Sequence, residues 1–321
     1  MRVVTVGLGI QGRKRRAVAG GDVVATIDPV APGADARAIE DIPLRSYDAA
    51  LVCTPDDAKL PILDFLLSNG KHVLVEKPLL AADRSQLVAL ERLAATSGAV
   101  CYTAYNHRFE PHFVAMRDLI AGGTLGRVYY ARLFYGNGTA RDVRNSAWRD
   151  QGAGVLPDLC SHLLDTVRFW FGEDRIGAGC DGFRVLQANH FENRSFDHIL
   201  IDRAGPLPIQ LEMSLLSWRN HFTCDLYAEN GSAHIESLCK WGPSTFTVRR
   251  RVLPSGRPPE DAVVLTRPDP TWELEYAHFK ELCAAGTGSN IATDLWLNDV
   301  LGRLSREALA LAGRTPTGDL P

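Results

Sequence analysis

Gly7-Leu8-Gly9-Ile10-Gln11-Gly12 falls between a β-branched run, 2–6, and a helix-compatible stretch, 10–20. No other feature of this chain restricts its fold so sharply. Glycines at this spacing let a strand turn tightly into a helix: Gly7 takes the turn, Gly9 lets a pyrophosphate approach the backbone, and Gly12 lets the helix pack on the strand. The helix start, with Ile10 and Gln11, offers unpaired N–H groups and a partial positive charge to the phosphates. Asp28 ends the next strand, 22–27, where its carboxylate would accept from the ribose hydroxyls of an adenosine. Strand, turn and acid together predict a dinucleotide site. Asp28 favours NAD, because it would repel a 2′-phosphate. NADP stays open, since the run Arg13-Lys14-Arg15-Arg16 either reaches a phosphate or forms a solvated basic face.

The same alternation continues. Strands are expected at 48–54, 72–76 and 100–105, and helices at 57–69 and 83–97, whereas 29–46 is broken by Pro and Gly. Such spacing means βαβ units and a parallel sheet. After a helix at 111–121 the texture changes. An alternating run (GRVYYARLFYGN) and a helix at 155–171 precede strand-like stretches at 180–191, 196–202, 207–217, 221–229, 232–238, 244–253 and 262–266. Strands in series read as a largely antiparallel sheet. Helices at about 271–285 and 293–312 close the chain, before a tail expected to fray.

Composition narrows the function classes. With 35 Lys+Arg against 38 Asp+Glu in 321 residues, a general nucleic-acid or anionic-membrane binder is disfavoured. No apolar run is long enough to span a membrane, and the N-terminus breaks into glycines too early for a signal peptide. Seven scattered cysteines without C-x-x-C read as reduced thiols in a cytoplasmic protein, with no zinc site.

Two constellations can carry chemistry. Glu76-Lys77-Pro78 closes the 72–76 strand at the carboxyl end of the parallel sheet, where ligands of such folds gather. A lysine held there can hydrogen-bond a substrate hydroxyl; a charged strand end beside a turn is the plainer reading. In the helix 155–171, Asp158, His162 and Asp165 stand at i, i+4 and i+7, on one face opposite Leu156, Leu159 and Leu163. A carboxylate one turn from a histidine orients the imidazole as a general base requires, although a core histidine with surface acids fits the pattern too.

These motifs, with Thr54-Pro55 and Asn106-His107-Arg108-Phe109, resemble the glucose–fructose oxidoreductase / inositol dehydrogenase (Gfo/Idh/MocA) family of NAD(P)-dependent oxidoreductases. The resemblance implies an N-terminal Rossmann domain, 1–106, with a doubly wound parallel sheet. It implies a C-terminal α/β domain, 107–321, for substrate binding and oligomerisation, with a large, open, mainly antiparallel sheet. By the same resemblance, Lys77 contacts the substrate hydroxyl and the nicotinamide, Asp158 orients the substrate, and His162 is the acid/base. Thr54, Pro55 and Glu76 lie along the cofactor, and Asn106 and Arg108 at the cleft. The implied reaction is reversible oxidation of a secondary alcohol on a sugar, cyclitol or sugar derivative, by a homodimer or homotetramer that needs no metal. A glycosidase working through transient oxidation, or a dinucleotide sensor without catalysis, are the alternatives. This chain departs from the family where 29–46 lacks the usual helix, where Lys59 replaces a frequent histidine, and in Gly152-Ala153-Gly154.

The loop expected at 137–150 feeds the histidine helix and carries Arg141, Arg144, Trp148 and Arg149. Arginine grips carboxylate or phosphate through two donors, and tryptophan offers a flat face to a sugar ring. An anionic or nucleotide-linked sugar would suit such a wall, with Arg149 as the principal contact. Pairing of these arginines with Asp142 and Asp150 would leave a neutral sugar instead.

Overall fold

The computed structural model describes residues 1–146, 149–177 and 182–313. Two compact units emerge: Met1–Phe109 with Pro270–Asn298, and Glu110–Asp269 with the chain from Asp299 onward.

The first unit is built on five parallel strands, β1 (Val3–Val6), β2 (Val23–Ile27), β3 (Ala49–Val52), β4 (His72–Glu76) and β5 (Cys101–Ala104), ordered β2-β1-β3-β4-β5. Helices α1 (Ile10–Ala19), α2 (Asp56–Ser68) and α3 (Arg84–Ser97) connect them. Both faces of the sheet are buried, as a parallel sheet demands. Val4, Val6, Ala50, Val52, Val73 and Val75 pack on one side with Leu63, Leu66, Leu87 and Leu90 of α2 and α3. The alternate residues Val3, Leu51 and Leu74 face the other side. The broken stretch 29–46 carries two single turns, Ile39–Asp41 and Leu44–Ser46, in place of a helix.

The second unit opens with α4 (Pro111–Ala121), β6 (Val128–Gly136) and a short helix, α5 (Ala140–Arg144), inside the arginine-rich segment where a loop was expected. The helix expected over 155–171 is a π-turn at Leu156–Cys160 running into α6 (Ser161–Ile176). Seven strands follow: β7 (Phe183–Asn189), β8 (His198–Arg203), β9 (Ile209–Ser214), β10 (His221–Ala228), β11 (Gly231–Glu236), β12 (Ser244–Arg250) and β13 (Glu260–Leu265). With β6 they form an eight-stranded sheet, ordered β13-β12-β11-β10-β6-β9-β8-β7. Every pair is antiparallel except β6 with β9.

Helices α7 (Thr271–Ala285) and α8 (Ile291–Ala312) end the described chain. Tyr276 and Phe279 of α7 cover the face of the first sheet that α2 and α3 leave open. The start of α8 is bonded to β5: the Thr103 amide donates to Asn290 (2.7 Å), and the Thr103 and Tyr105 hydroxyls donate to Asp294 (2.7 and 3.0 Å). The compact units therefore divide differently from the expected 1–106 and 107–321. The turn Asn106–Phe109 stays with the first unit, and 270–298 rejoin it. Among the described residues no helix is long and apolar enough to cross a membrane.

Candidate active site

The three glycines after β1 do different work. Gly7 has φ +90°, and a Cβ there would stand 2.7 Å from the Cys53 carbonyl oxygen. A Cβ on Gly12 would fall onto the Gly7 carbonyl, so α1 packs on the turn only without one. Gly9 is unlike both: its φ is −63°, and a Cβ there would meet none of the described residues within 4 Å. None of the described residues accounts for glycine at that position, whereas a pyrophosphate against the backbone would. The first turn of α1 holds no acid, and no described side chain caps it, so its N–H groups face outward beside exposed Ile10 and Gln11.

Asp28, buried at the end of β2, accepts from the Leu8 amide (2.7 Å) and from the amides of Val30 (2.9 Å) and Ala31 (2.8 Å). The Leu8 bond above all holds its carboxyl below the usual range, so a fixed negative charge closes the turn. At the end of β3, the buried Thr54 hydroxyl has no hydrogen-bond partner among the described residues, and Pro55 is exposed. Amides without a cap, a glycine no neighbour demands and an orphaned hydroxyl are what a bound dinucleotide would complete.

Glu76-Lys77-Pro78 leaves β4 with Lys77 half-buried and the Lys77–Pro78 peptide cis. Glu76 accepts from Arg15 Nε at 2.7 Å. Arg15 belongs to the basic run yet is buried, with Nη2 2.6 Å from Glu275 of α7 and its guanidinium 4.2 Å over the Trp272 ring. Burial pushes Glu275 up to about 7; Arg15 pulls the other way, and Glu76 adds to the rise. Lys59 is also buried, donating to Asp56 (2.6 Å) and to the Pro78 carbonyl (2.8 Å). Asn106 donates to the Thr271 hydroxyl at 2.8 Å, and Arg108 lies 5.8 Å from the Tyr105 ring.

In the second unit the π-turn changes the expected face. Asp158 sits in the widened turn with its side chain 40% exposed, while His162 and Asp165 are buried along with all of Ser161–Val167. The acids and histidine thus do not form a solvated stripe opposite an apolar one: only Asp158 opens outward. Tyr135, at the end of β6, packs its ring 5.9 Å from that of His162 and 5.8 Å from that of Trp241. Burial first, and then the charge of Asp158, hold its hydroxyl above the usual range. Arg149 Nη2 lies 3.7 Å from Asp158. Asp150 is engaged elsewhere, accepting from the Ser195 amide and hydroxyl (2.8 and 3.0 Å), and Arg141 and Arg144 are exposed on α5. Trp148 lies outside the described residues.

One further group brings possible metal ligands within 4.8 Å of one another: Glu110, Cys239 and Asp269. The Cys239 amide (2.9 Å) and thiol (3.2 Å) donate to Glu110, and burial raises both groups toward their neutral forms. It reads as a hydrogen-bonded core cluster.

Comparison with known proteins decides the family. An oxidoreductase-family model with an NAD-binding Rossmann fold matches residues 1–105, and the GFO/IDH/MocA C-terminal domain model matches 113–234. The chain belongs to the GFO/IDH/MocA oxidoreductases. An uncharacterized oxidoreductase of Escherichia coli is 34% identical over 130 residues, 40% of this chain and 37% of the relative. Inositol 2-dehydrogenase of Rhizobium meliloti is 28% identical over 162 residues, 50% of this chain and 44% of the relative. The chain thus spans less than half the length of these two relatives. Among solved structures, a levoglucosan dehydrogenase with NADH and levoglucosan shares the fold, with TM-score 0.79, 17% identity and 97% of each chain covered.

For this GFO/IDH/MocA member, the first unit is an NAD-binding Rossmann domain. Sequence reasoning singled out the glycine turn, Asp28, Lys77 and the Asp158–His162 pair. It missed Arg15 and Glu275 because their partners are far along the chain, and Tyr135 because a lone tyrosine in an alternating strand gives no signal. Lys59 was visible only as a departure from the family pattern.

Proposed function

We propose that this chain oxidises a secondary alcohol of a sugar or cyclitol, reversibly, with NAD. Bound nicotinamide supplies the hydride acceptor. Lys77 hydrogen-bonds the reacting oxygen and steadies its growing negative charge, His162 exchanges the hydroxyl proton, and Asp158 orients the substrate. The observation that carries the reading is the placing of Asp158 and His162 across a π-turn, beside buried Tyr135, at the head of a helix buried through its first two turns. An acid and an imidazole at such a turn are costly to fold unless they serve a site. Asp28, fixed as a carboxylate, favours a free 2′-hydroxyl over a 2′-phosphate. Arg149 is the arginine that would meet an anionic substrate group, which would have to draw it from Asp158, 3.7 Å away.

A panel of inositol, levoglucosan, uronates and UDP-N-acetylglucosamine, each with NAD and NADP and followed at the nicotinamide absorbance, tests the reaction. His162→Ala should lower turnover by ~10²–10⁴ while NADH affinity stays nearly unchanged, and Lys77→Ala should lower turnover at least as much. Wild-type turnover in either variant refutes the assignment of that residue. Bond cleavage without net NADH would place the chain among glycosidases that oxidise transiently.

A further inference from the structure

Lys59 lies in the first turn of α2, is 2% exposed, and spans 19 residues of chain to donate to the Pro78 carbonyl at 2.8 Å. Every elementary consideration argues against a lysine there. A buried ammonium loses its hydration, and a cation in the first turn opposes the helix dipole. Its other bond, to Asp56 at 2.6 Å, goes to a carboxylate that is 49% exposed and already solvated. An apolar side chain of the same length would fill the space at no cost in stability, or with a gain.

What the lysine touches explains its presence. Pro78 follows Lys77, and its carbonyl is the backbone acceptor immediately beyond that residue. On the other side Glu76 precedes Lys77, and its carboxylate is gripped by Arg15 at 2.7 Å. Two buried cations, Arg15 from the middle of α1 and Lys59 from the first turn of α2, thus hold the residues on both sides of Lys77. Holding the backbone on both sides fixes where the four-carbon stem of Lys77 begins, and so where its ammonium can reach.

We propose that Lys59 is a positioning residue for Lys77, acting through the Pro78 carbonyl while Arg15 holds the other flank through Glu76. The inference rests on the reading of Lys77 as the group that meets the substrate oxygen. A shift of an ångström in such a group is enough to cost turnover heavily while leaving cofactor binding alone.

Lys59→Met, which keeps the volume and removes the donor, tests it beside Lys59→Gln, which keeps an N–H donor without the charge, and Lys77→Met. Turnover is measured with the panel compounds above, NADH affinity by nicotinamide fluorescence, and stability by thermal unfolding. Lys59→Met should lose about tenfold or more in kcat. It should bind NADH within about twofold of wild type and unfold no earlier, because removing a buried charge does not weaken the core. Lys59→Gln should recover most of the lost kcat, and Lys59→Met added to Lys77→Met should cost nothing further. Without reference to turnover, hydrogen exchange at Leu79 and Leu80 should quicken in Lys59→Met and stay unchanged in the rest of α2.

The failures separate. Wild-type kcat in Lys59→Met with an inactive Lys77→Met removes the positioning role and leaves the Lys77 reading standing. An active Lys77→Met removes the reading itself. Joint loss of stability and NADH affinity in Lys59→Met would make Lys59 a structural residue and overturn the proposal, as would unchanged exchange at Leu79 and Leu80, or a glutamine variant no better than methionine.

Discussion

In the five-stranded unit the candidate residues stand at strand ends and are held by short bonds: Asp28 by three amides at 2.7–2.9 Å, Glu76 by Arg15 at 2.7 Å, and the turn after Lys77 by Lys59 at 2.8 Å. In the eight-stranded unit, Asp158 and Arg149 face each other at 3.7 Å with 40% and 32% of their side chains in water, on a π-turn and the segment before it. A cofactor of constant shape suits a rigid platform whose groups are fixed by buried hydrogen bonds and the Arg15 ion pairs. On the proposed function the second unit would supply a wall that receives and releases a hydroxylated molecule, and a half-hydrated pair would exchange water for ligand at little cost.

The sharpest way to break this comparison is to remove one anchor from each side. Arg15→Met leaves Glu76 and Glu275 without their shared cation in the interior of the first unit. The expected loss is about 3–5 kcal/mol of stability, read as a lower urea midpoint, because an uncompensated buried charge is far costlier than a missing surface pair. A loss no larger than that of an exposed pair would show that the Rossmann side is not rigidly held after all.

A second variant sharpens the same point through pH. Glu275 has its folded value pushed up to about 7, chiefly by burial. Between its ordinary value near 4.5 and that folded value the native state binds the extra proton, so stability from this group is present below the window and falls as pH rises through it. Asp28 has the opposite sign: it is held below the usual range by hydrogen bonds, so its contribution is present above it and lost on acidification. Glu275→Gln should flatten the fall between about pH 4.5 and 7 in unfolding curves, leaving the acid limb unchanged. A fall that persists in the variant would mean that another group carries it.

Arg149→Ala is expected to have the smallest effect on stability, ~0–1 kcal/mol, since the pair is long and partly hydrated. Its signature lies in selectivity: on a matched neutral and anionic sugar, the variant should lose more kcat/KM on the anionic member, and less so at high salt. Equal losses on both would leave Arg149 as a partner of Asp158 alone and the substrate neutral.

Much of this was legible in the residues themselves. The glycine turn, the acid after β2 and the strand–helix alternation are local patterns, set by steric limits on a few neighbouring residues, and β4 was read at its observed bounds, 72–76. Strands in series announced the antiparallel sheet, although not the parallel pairing of β6 with β9 in its middle. The D-x-x-x-H spacing marked Asp158 and His162, but the π-turn could not be read, because the alternation of polar and apolar residues does not separate a widened turn from an α-helical one.

What the tertiary structure alone decided is the fate of the charges. Arg13 to Arg16 are four similar cations in sequence, yet only Arg15 is buried, because α7 returns to the first sheet from more than 250 residues away and brings Glu275 and Trp272 to it. The same return gives the second face of that sheet its cover, through Tyr276 and Phe279. Periodicity reports which residues of a segment share a face; it carries no information on which distant segment will cover that face. Ion pairs and hydrogen bonds across such separations form only once packing has excluded water and fixed both partners, and so Arg15, Lys59 and Tyr135 took on their roles in the fold rather than in the sequence.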